Sequence, residues 1–129
     1  MQEKLVEFNT AVLAKQKGFN GKSNYYYAKS KTRVHYGIYN QLHSFKDIAA
    51  TTQSSLQKWL REEHNCIIEV TFYGENIIAL DDIKYAVEID YYGKNFNFIS
   101  DSSDYYSNGY NTYEEALEVG LFNALKLIK

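Results

Sequence analysis

The stretch TTQSSLQKWLREEHNCIIEVTFY, residues 51–73, decides the fold because its apolar spacing changes once, from helical to extended. The apolar residues of its first part recur at the spacing of one helical face. They are Leu56, Trp59 and Leu60. Thr51 or Thr52 can cap the start of this helix, and Asn65 can end it in the left-handed conformation. We therefore predict a helix that ends near residue 64.

From residue 66 to residue 73 the period becomes two, which predicts a strand with one buried face. The residues of that face are Ile68, Val70 and Phe72. Residues 84–92 alternate in the same way, and Gly93–Lys94 can turn the chain into a third strand over residues 95–99. We therefore expect a small antiparallel sheet of three strands.

The last helix is predicted from residue 113 to about residue 128. It opens with Thr112-Tyr-Glu-Glu115, a capping box whose side chains satisfy the end donors of the helix. Its apolar stripe consists of Leu117, Leu121, Ala124, Leu125 and Ile128. Gly120 lies on the same side and permits close packing. The predicted order over residues 51–128 is α-β-β-β-α, an α+β fold with both main helices on one face of the sheet.

The N-terminal part is predicted to hold a short helix over residues 9–17, capped by Asn9 or Thr10 and ended by Gly18. Tyr-rich stretches follow at residues 25–27 and 33–39, and we expect two short strands there that extend the sheet or cover one of its edges. Residues 42–50 are predicted to form a connecting loop. At this length we expect one domain over residues 1–129, with residues 1–50 as a basic, Tyr-rich extension of the core formed by residues 51–129.

Composition excludes several classes of protein. The 129 residues include 13 Tyr and 7 Phe but no Pro, and 23% are charged, which is unlike a disordered, collagen-like or linker sequence. No apolar run is long enough for a membrane span, and the N-terminus has no secretion signal. The single cysteine, Cys66, cannot form an intramolecular disulfide. Because this fits a reducing compartment, we expect a cytoplasmic location and no contact with a membrane.

Recognisable catalytic and metal-binding patterns are absent from the sequence. His35, His43 and His64 do not occur in a helical zinc-ligand spacing. The acids around Asp101 do not fit a calcium loop, and no nucleophile elbow or phosphate-binding glycine loop occurs. We therefore expect no enzyme activity, no cofactor and no metal. A hydrolase or nuclease would need Asp81, Asp82 or a histidine to converge from distant positions.

Charge divides the tyrosines into two groups. Residues 1–50 carry a formal charge of +5 and residues 51–129 carry −7. The basic group consists of Tyr25, Tyr26, Tyr27, Lys29, Lys31, Arg33 and Tyr36, and the loop group among acids consists of Tyr105, Tyr106 and Tyr110. Tyr combines an apolar ring with a polar tip, which suits protein interfaces and base stacking as well as ordinary packing in a sheet.

These groups support two hypotheses of function. The first is a non-enzymatic binding module that engages a protein partner, or a second copy of itself, through a Tyr-bearing surface. The alternative is a nucleic-acid-binding protein that uses the basic, Tyr-rich residues 22–39.

The α-β-β-β-α order resembles the double-stranded RNA-binding domain. The ending TYEEALEVGLFNAL, residues 112–125, is similar to the last helix of that family in its apolar spacing. That family holds phosphates with lysines at the start of this helix and with a Gly-Pro-x-His loop. Here Glu114 and Glu115 occupy the helix start, and the loop is acidic. The resemblance supports the topology and argues against the RNA function.

A second resemblance spans most of the chain. FNTAVLAKQKGF (residues 8–19), TQSSLQKWLREEHN (residues 52–65) and YEEALE (residues 113–118) are similar to small proteins encoded by phages and prophages of gut bacteria. The resemblance implies a phage-related, bacterial setting, and the family supplies no activity.

Overall fold

The computed structural model describes residues 3–21, 25–27, 34–36, 48–73, 84–92, 100–101 and 109–128. Within these ranges the helices are α1 (Phe8–Gln16), α2 (Gln53–His64) and α3 (Tyr113–Leu127). The strands are β1 (Tyr25–Tyr27), β2 (Val34–Tyr36), β3 (Ile48–Ala49), β4 (Cys66–Tyr73), β5 (Lys84–Tyr91) and β6 (Ser100–Asp101). The predicted α+β class is confirmed, as is the order α2-β4-β5-β6-α3.

The sheet of residues 66–101 has the strand order β4-β5-β6 and is antiparallel throughout. β4 and β5 pair over their full lengths, from Cys66 opposite Tyr91 to Tyr73 opposite Lys84. The third strand differs from the prediction. Ser100 and Asp101 form it, where we expected a loop, and the predicted strand residues 95–99 lie outside the described part of the chain.

The N-terminal strands form a sheet of their own, with the order β2-β1-β3. β1 lies in the middle because residues 48–49, just before α2, pair with its free edge, Tyr26 opposite Ala49. We had predicted a loop for residues 42–50, so this strand is a correction. Among the described residues, β1 therefore has its neighbours within the N-terminal part and does not extend the β4-β5-β6 sheet.

α1 begins without a side-chain cap of its own. Its N-cap is Glu7, whose side chain makes no capping hydrogen bond. Our prediction of Asn9 or Thr10 as the cap was wrong, because both lie inside the helix. The end of α1 agrees with the prediction: Gly18 has a φ of 101°, and the N–H of Phe19 donates to the carbonyl of Ala14 at 2.9 Å.

The caps of α2 and α3 agree with the prediction. The hydroxyl of Thr52 accepts from the N–H of Ser55 at 3.2 Å, and the hydroxyl of Thr112 accepts from the N–H of Glu115 at 3.0 Å. Asn65 ends α2 with a φ of 53°. Since Asn tolerates this left-handed conformation, the chain can reverse within one residue and enter β4.

α2 and α3 bury their apolar faces with the inner face of β4 and β5 in a single core. Fully buried members of this core include Leu56, Leu60, Ile89, Leu121 and Leu125. Val6, Ala11 and Ala14 belong to the same cluster, so the N-terminal segment contributes to the core that the C-terminal part builds.

Gly120 sets the distance between α3 and the sheet. A Cβ at this position would lie 2.5 Å from Cγ2 of Val87 and 3.0 Å from Cγ2 of Ile68. Both distances are shorter than normal carbon–carbon contacts of about 3.5–4.0 Å. α3 can therefore lie this close to β4 and β5 only with glycine at position 120.

We predict that Gly120→Ala lowers the free energy of unfolding by about 1–3 kcal/mol, as overpacking does in other cores. Helix propensity alone would change it in the opposite direction by about 1 kcal/mol. Denaturant unfolding measures the difference. In a Val87→Ala background, Gly120→Ala should lower the free energy of unfolding by less, because the Cγ2 methyl group that the added Cβ would meet is absent. A stabilising effect of Gly120→Ala would contradict the close approach.

Candidate functional site

Tyr27, predicted as a contact residue of the basic group, belongs to the core. Its side chain is 8% exposed, and its hydroxyl donates to the carbonyl of Val6 at 2.8 Å. The ring meets Phe8 edge-on, with 5.4 Å between centroids. Burial, together with the Glu118 and Glu7 carboxylates, raises the pKa of Tyr27. Tyr27 therefore belongs to the core and not to a contact surface, because its ring is buried and its hydroxyl already has an acceptor.

The rest of the basic group is described only in part. Tyr25 and Tyr26 are half-buried, and Tyr25 packs against the core. Tyr36 lies on β2 opposite Tyr25 in the register. The cationic members Lys29, Lys31 and Arg33 lie outside the described residues, as do Tyr105 and Tyr106 of the second group. Nucleic-acid binding through residues 22–39 stays a prediction.

Tyr110, the remaining member of the second group, takes part in an aromatic row across the sheet. Its N–H donates to the carbonyl of Tyr85 at 2.7 Å, and the N–H of Tyr85 donates back at 2.8 Å. On the other side, Tyr85 is paired with Phe72 of β4. Residues directly opposite each other on neighbouring antiparallel strands point to the same face, so Phe72, Tyr85 and Tyr110 form one row.

Tyr113, at the start of α3, completes this group. Its ring lies edge-on to that of Tyr85, with 6.4 Å between centroids. We call Phe72, Tyr85, Tyr110 and Tyr113 the aromatic cluster. Tyr85 and Tyr110 are half-buried against the core, whereas Phe72 is 66% exposed and Tyr113 is 43% exposed. One end of the cluster is therefore packed and the other is open.

The exposure of Phe72 corrects our expectation of a fully buried face on β4. Burial decreases along that face, from Ile68 at 4% exposed, through half-buried Val70, to Phe72. The reason is the extent of α3, which begins at Tyr113 beside Tyr85 on the central strand. Phe72 lies one strand further out. Among the described residues, the apolar face of the sheet therefore extends beyond the part that α3 covers.

The backbone of β4 has N–H and C=O groups that point away from β5 on the same stretch of strand as Phe72. The N–H of Tyr92 donates to the carbonyl of Asn65 at 3.0 Å, which identifies this opposed pair as hydrogen-bonded. Such pairs alternate along an antiparallel ladder. Odd-numbered residues of β4 therefore bond to β5, and the N–H and C=O groups of the even-numbered residues point outward.

One of these outward groups has a partner in the structure. The side-chain amide of Gln57 on α2 donates to the carbonyl of Ile68 at 2.8 Å, which agrees with the alternation. Within the described ranges, no strand pairs with this edge of β4, and no described residue bonds to the outward groups of Val70 and Phe72. The open edge and the exposed ring of Phe72 thus occur at the same place.

A groove of about 370 Å³ runs between the first turns of α2 and α3. Gln57, Tyr113 and Leu117 are among its lining residues. Gln57 links the groove to the edge of β4, and Tyr113 links it to the aromatic cluster. The groove therefore adjoins the aromatic cluster at Tyr113, and polar or charged residues, among them Glu3, Lys4 and Glu114, make up most of its lining.

A buried carboxylate holds the three helices together beneath this surface. Glu118 is 7% exposed. Its Oε2 accepts from the N–H of Glu7 at 3.1 Å and from the hydroxyl of Thr10 at 2.5 Å. Its Oε1 accepts from the side-chain amide of Gln53 at 3.0 Å. Glu118 of α3 thus satisfies donors at the starts of α1 and α2, including donors of the helix that has no cap of its own.

Glu118 is the residue of this region that sequence reasoning missed. A hollow of about 280 Å³ beside it is lined by further charged side chains, among them Lys4, Glu7, Glu114 and Glu115. The oxygens of Glu118 are already engaged by three donors, which assigns this carboxylate a structural role. Across the described ranges, no three His, Cys, Asp or Glu side chains come together as ligands for a metal ion.

The other residues considered for chemistry are placed as follows. Asp81, Asp82 and His43 lie outside the described residues, and the ring of His64 lies edge-on to that of Trp59 with 4.6 Å between centroids. Cys66 is fully buried, and burial raises the pKa of its thiol to about 12. Since the thiolate is the reactive form, Cys66 is inert at neutral pH.

Comparison with protein-family models, with curated proteins and with solved structures found no match to this chain. The resemblances to the double-stranded RNA-binding domain and to phage proteins stay predictions. In the part of the chain that the structure describes, no helix is both long and apolar enough to span a bilayer.

We predict that Glu118→Ala lowers the free energy of unfolding by about 3 kcal/mol, because the buried hydroxyl of Thr10 and the N–H of Glu7 lose their acceptor and the amide of Gln53 keeps only the carbonyl of Glu114. Glu114→Ala is the matched control: it removes an exposed carboxylate one turn earlier in α3 and should change stability by less than about 0.5 kcal/mol. Denaturant unfolding measures both. Equal effects of the two substitutions would contradict the structural role of Glu118.

Proposed function

We propose that this chain is a non-enzymatic protein-binding module whose contact surface is the aromatic cluster together with the outer edge of β4. The observation that carries the proposal is Phe72, which is 66% exposed on the apolar side of the sheet. Large exposed apolar side chains grouped with other aromatics are typical of protein interfaces. The proposal keeps the predicted Tyr-bearing surface but moves its centre from residues 25–27 to Phe72, Tyr110 and their neighbours.

The chemistry of the surface favours an extended partner segment. Such a segment can add to the sheet at Val70 and Phe72, where the outward backbone groups have no described partner. Its apolar side chains would then cover the ring of Phe72 and lie along the groove toward Tyr113. Backbone hydrogen bonds would supply affinity, and the aromatic cluster would supply selectivity.

The surroundings of the surface bear on the alternative function. Glu114 and Glu115 in the first turn of α3 stand beside Tyr113, and both are exposed. Acidic side chains next to the aromatic rings would repel the phosphates of a nucleic acid. This surface therefore favours a protein partner. The proposed setting is the bacterial cytoplasm, in keeping with the resemblance to phage and prophage proteins.

Photo-crosslinking in producing cells tests the proposal. A photoreactive phenylalanine analogue at position 72 should form adducts whose crosslinks map to one defined segment of a partner. The same analogue at Lys58, an exposed position on α2, is the control and should give several-fold less product. Equal or unspecific labelling at the two positions would overturn the proposed surface.

Affinity measurements with the partner so identified make the test quantitative. Phe72→Ala should weaken binding by about tenfold or more, as truncation of an aromatic anchor does. Lys58→Ala, an exposed change on α2, should weaken it by less than about threefold. Both changes should leave the free energy of unfolding within about 0.5 kcal/mol of the parent, since both side chains are exposed.

A further inference from the structure

We propose that the occupant of the β4 edge is a second copy of this chain, added antiparallel to β4 about a two-fold axis at Thr71. This inference rests on the proposed function, because it names the partner of the same surface.

The hydrogen-bond alternation limits the registers. Only residues whose backbone groups point outward, the even-numbered residues of β4, can form hydrogen-bonded pairs with an added strand. Ile68 is already engaged, because its carbonyl accepts from Gln57 at 2.8 Å. Cys66, at the start of β4, is fully buried, which leaves Val70 and Phe72. A two-fold axis at Thr71 pairs Val70 of each copy with Phe72 of the other and leaves the bond from Gln57 intact.

The side chains in this register are compatible on both faces of the joined sheet. On the inner face, Val70 lies opposite the exposed ring of Phe72, and a β-branched residue opposite an aromatic one is a favourable cross-strand pair. The two Thr71 residues, which are exposed, meet at the axis, and Glu69 is in register with position 73, at which the sequence has no charge. No two like charges are therefore opposed along the joined strands.

A competing register places the axis at Val70. It would pair Val70 with itself and Ile68 with Phe72. That arrangement requires the carbonyl of Ile68 to accept from the second copy where Gln57 now donates. The structure therefore favours the axis at Thr71, in which each copy uses only outward groups to which no described residue bonds.

Disulfide trapping of the full-length chain tests the inference. Thr71 is exposed, and two such residues at the axis form a non-hydrogen-bonded pair, with Cα atoms about 4.5 Å apart. This distance lies within the range of a disulfide, about 4.4–6.8 Å. Thr71→Cys should therefore form a covalent dimer under mild oxidation. The native Cys66 should not compete, because it is buried.

Glu69→Cys is the matched control, an exposed residue of the same strand and face. In the proposed register the two copies of position 69 lie four residues apart along the strands, about 13 Å. Glu69→Cys should therefore give several-fold less covalent dimer than Thr71→Cys. Sedimentation equilibrium of the parent chain should show a monomer–dimer equilibrium, which Phe72→Ala weakens by about tenfold or more.

The outcomes separate the inference from the proposed function. A disulfide between Thr71→Cys of one copy and Glu69→Cys of another, stronger than either symmetric product, would overturn the axis at Thr71. A parent chain that stays monomeric, with no trapping by Thr71→Cys, would overturn self-association. If the analogue at position 72 then captures a different protein, the proposed function stands alone, and if it captures none, both fail.

Discussion

The interaction on which the arrangement of the helices depends is the buried carboxylate of Glu118. An unpaired charge in a protein interior is very costly, so this side chain is tolerated only because three donors surround it. Two of the donors, from Glu7 and Thr10, belong to the start of α1, and the third comes from Gln53 in α2. Hydrogen bonds to an ionised carboxylate are about twice as strong as those between neutral groups. One residue of α3 thereby fixes the positions of the other two helices.

The position of α1 has a consequence for the surface of the molecule. Two backbone hydrogen bonds tie the segment before α1 to the start of α2. The N–H of Val6 donates to the carbonyl of Thr51 and the N–H of Gln53 donates to the carbonyl of Lys4, each at 2.9 Å. Tyr27 extends these ties to β1 through its bond to Val6. The described N-terminal segment is thus anchored to α3 and to the start of α2. Among the described strands, β4 lies at an edge of its sheet, and its Phe72 is 66% exposed.

Much of the fold could be predicted because it is encoded in local patterns. The helical spacing of residues 56–60, the alternation after Asn65 and the capping box at Thr112 each specify an element without reference to the rest of the chain. The two-residue strands β3 and β6 were missed because so short a stretch has no period. They form only because β1 and β5 offer free backbone groups, which is a property of the tertiary structure.

The candidate site was predicted less well, for a related reason. Alternation assigned Phe72 to the inner face of β4, but how far α3 covers that face depends on where the helix begins in space. Tyr27 was assigned to the surface by its neighbours in sequence, whereas burial depends on Val6 and Phe8. Glu118 did leave a signal: it precedes Leu121 by three residues and Leu125 by seven, so it lies within the apolar stripe of α3. A charged residue at such a position indicates a buried partner.

The central proposal is that the edge of β4 at Val70 and Phe72, to which no described residue bonds, is filled by a second copy of the chain. Residue-resolved amide hydrogen exchange of the full chain tests it most directly, with neighbouring amides as internal controls. In dilute solution, the amides of Val70 and Phe72 should exchange quickly, while those of Glu69 and Thr71, bonded to β5, exchange slowly. Raising the protein concentration through the range in which the dimer forms should slow the exchange of the Val70 and Phe72 amides and leave that of Glu69 and Thr71 unchanged. Equal protection of the four amides in dilute solution, or fast exchange of Val70 and Phe72 at every concentration, would contradict the account.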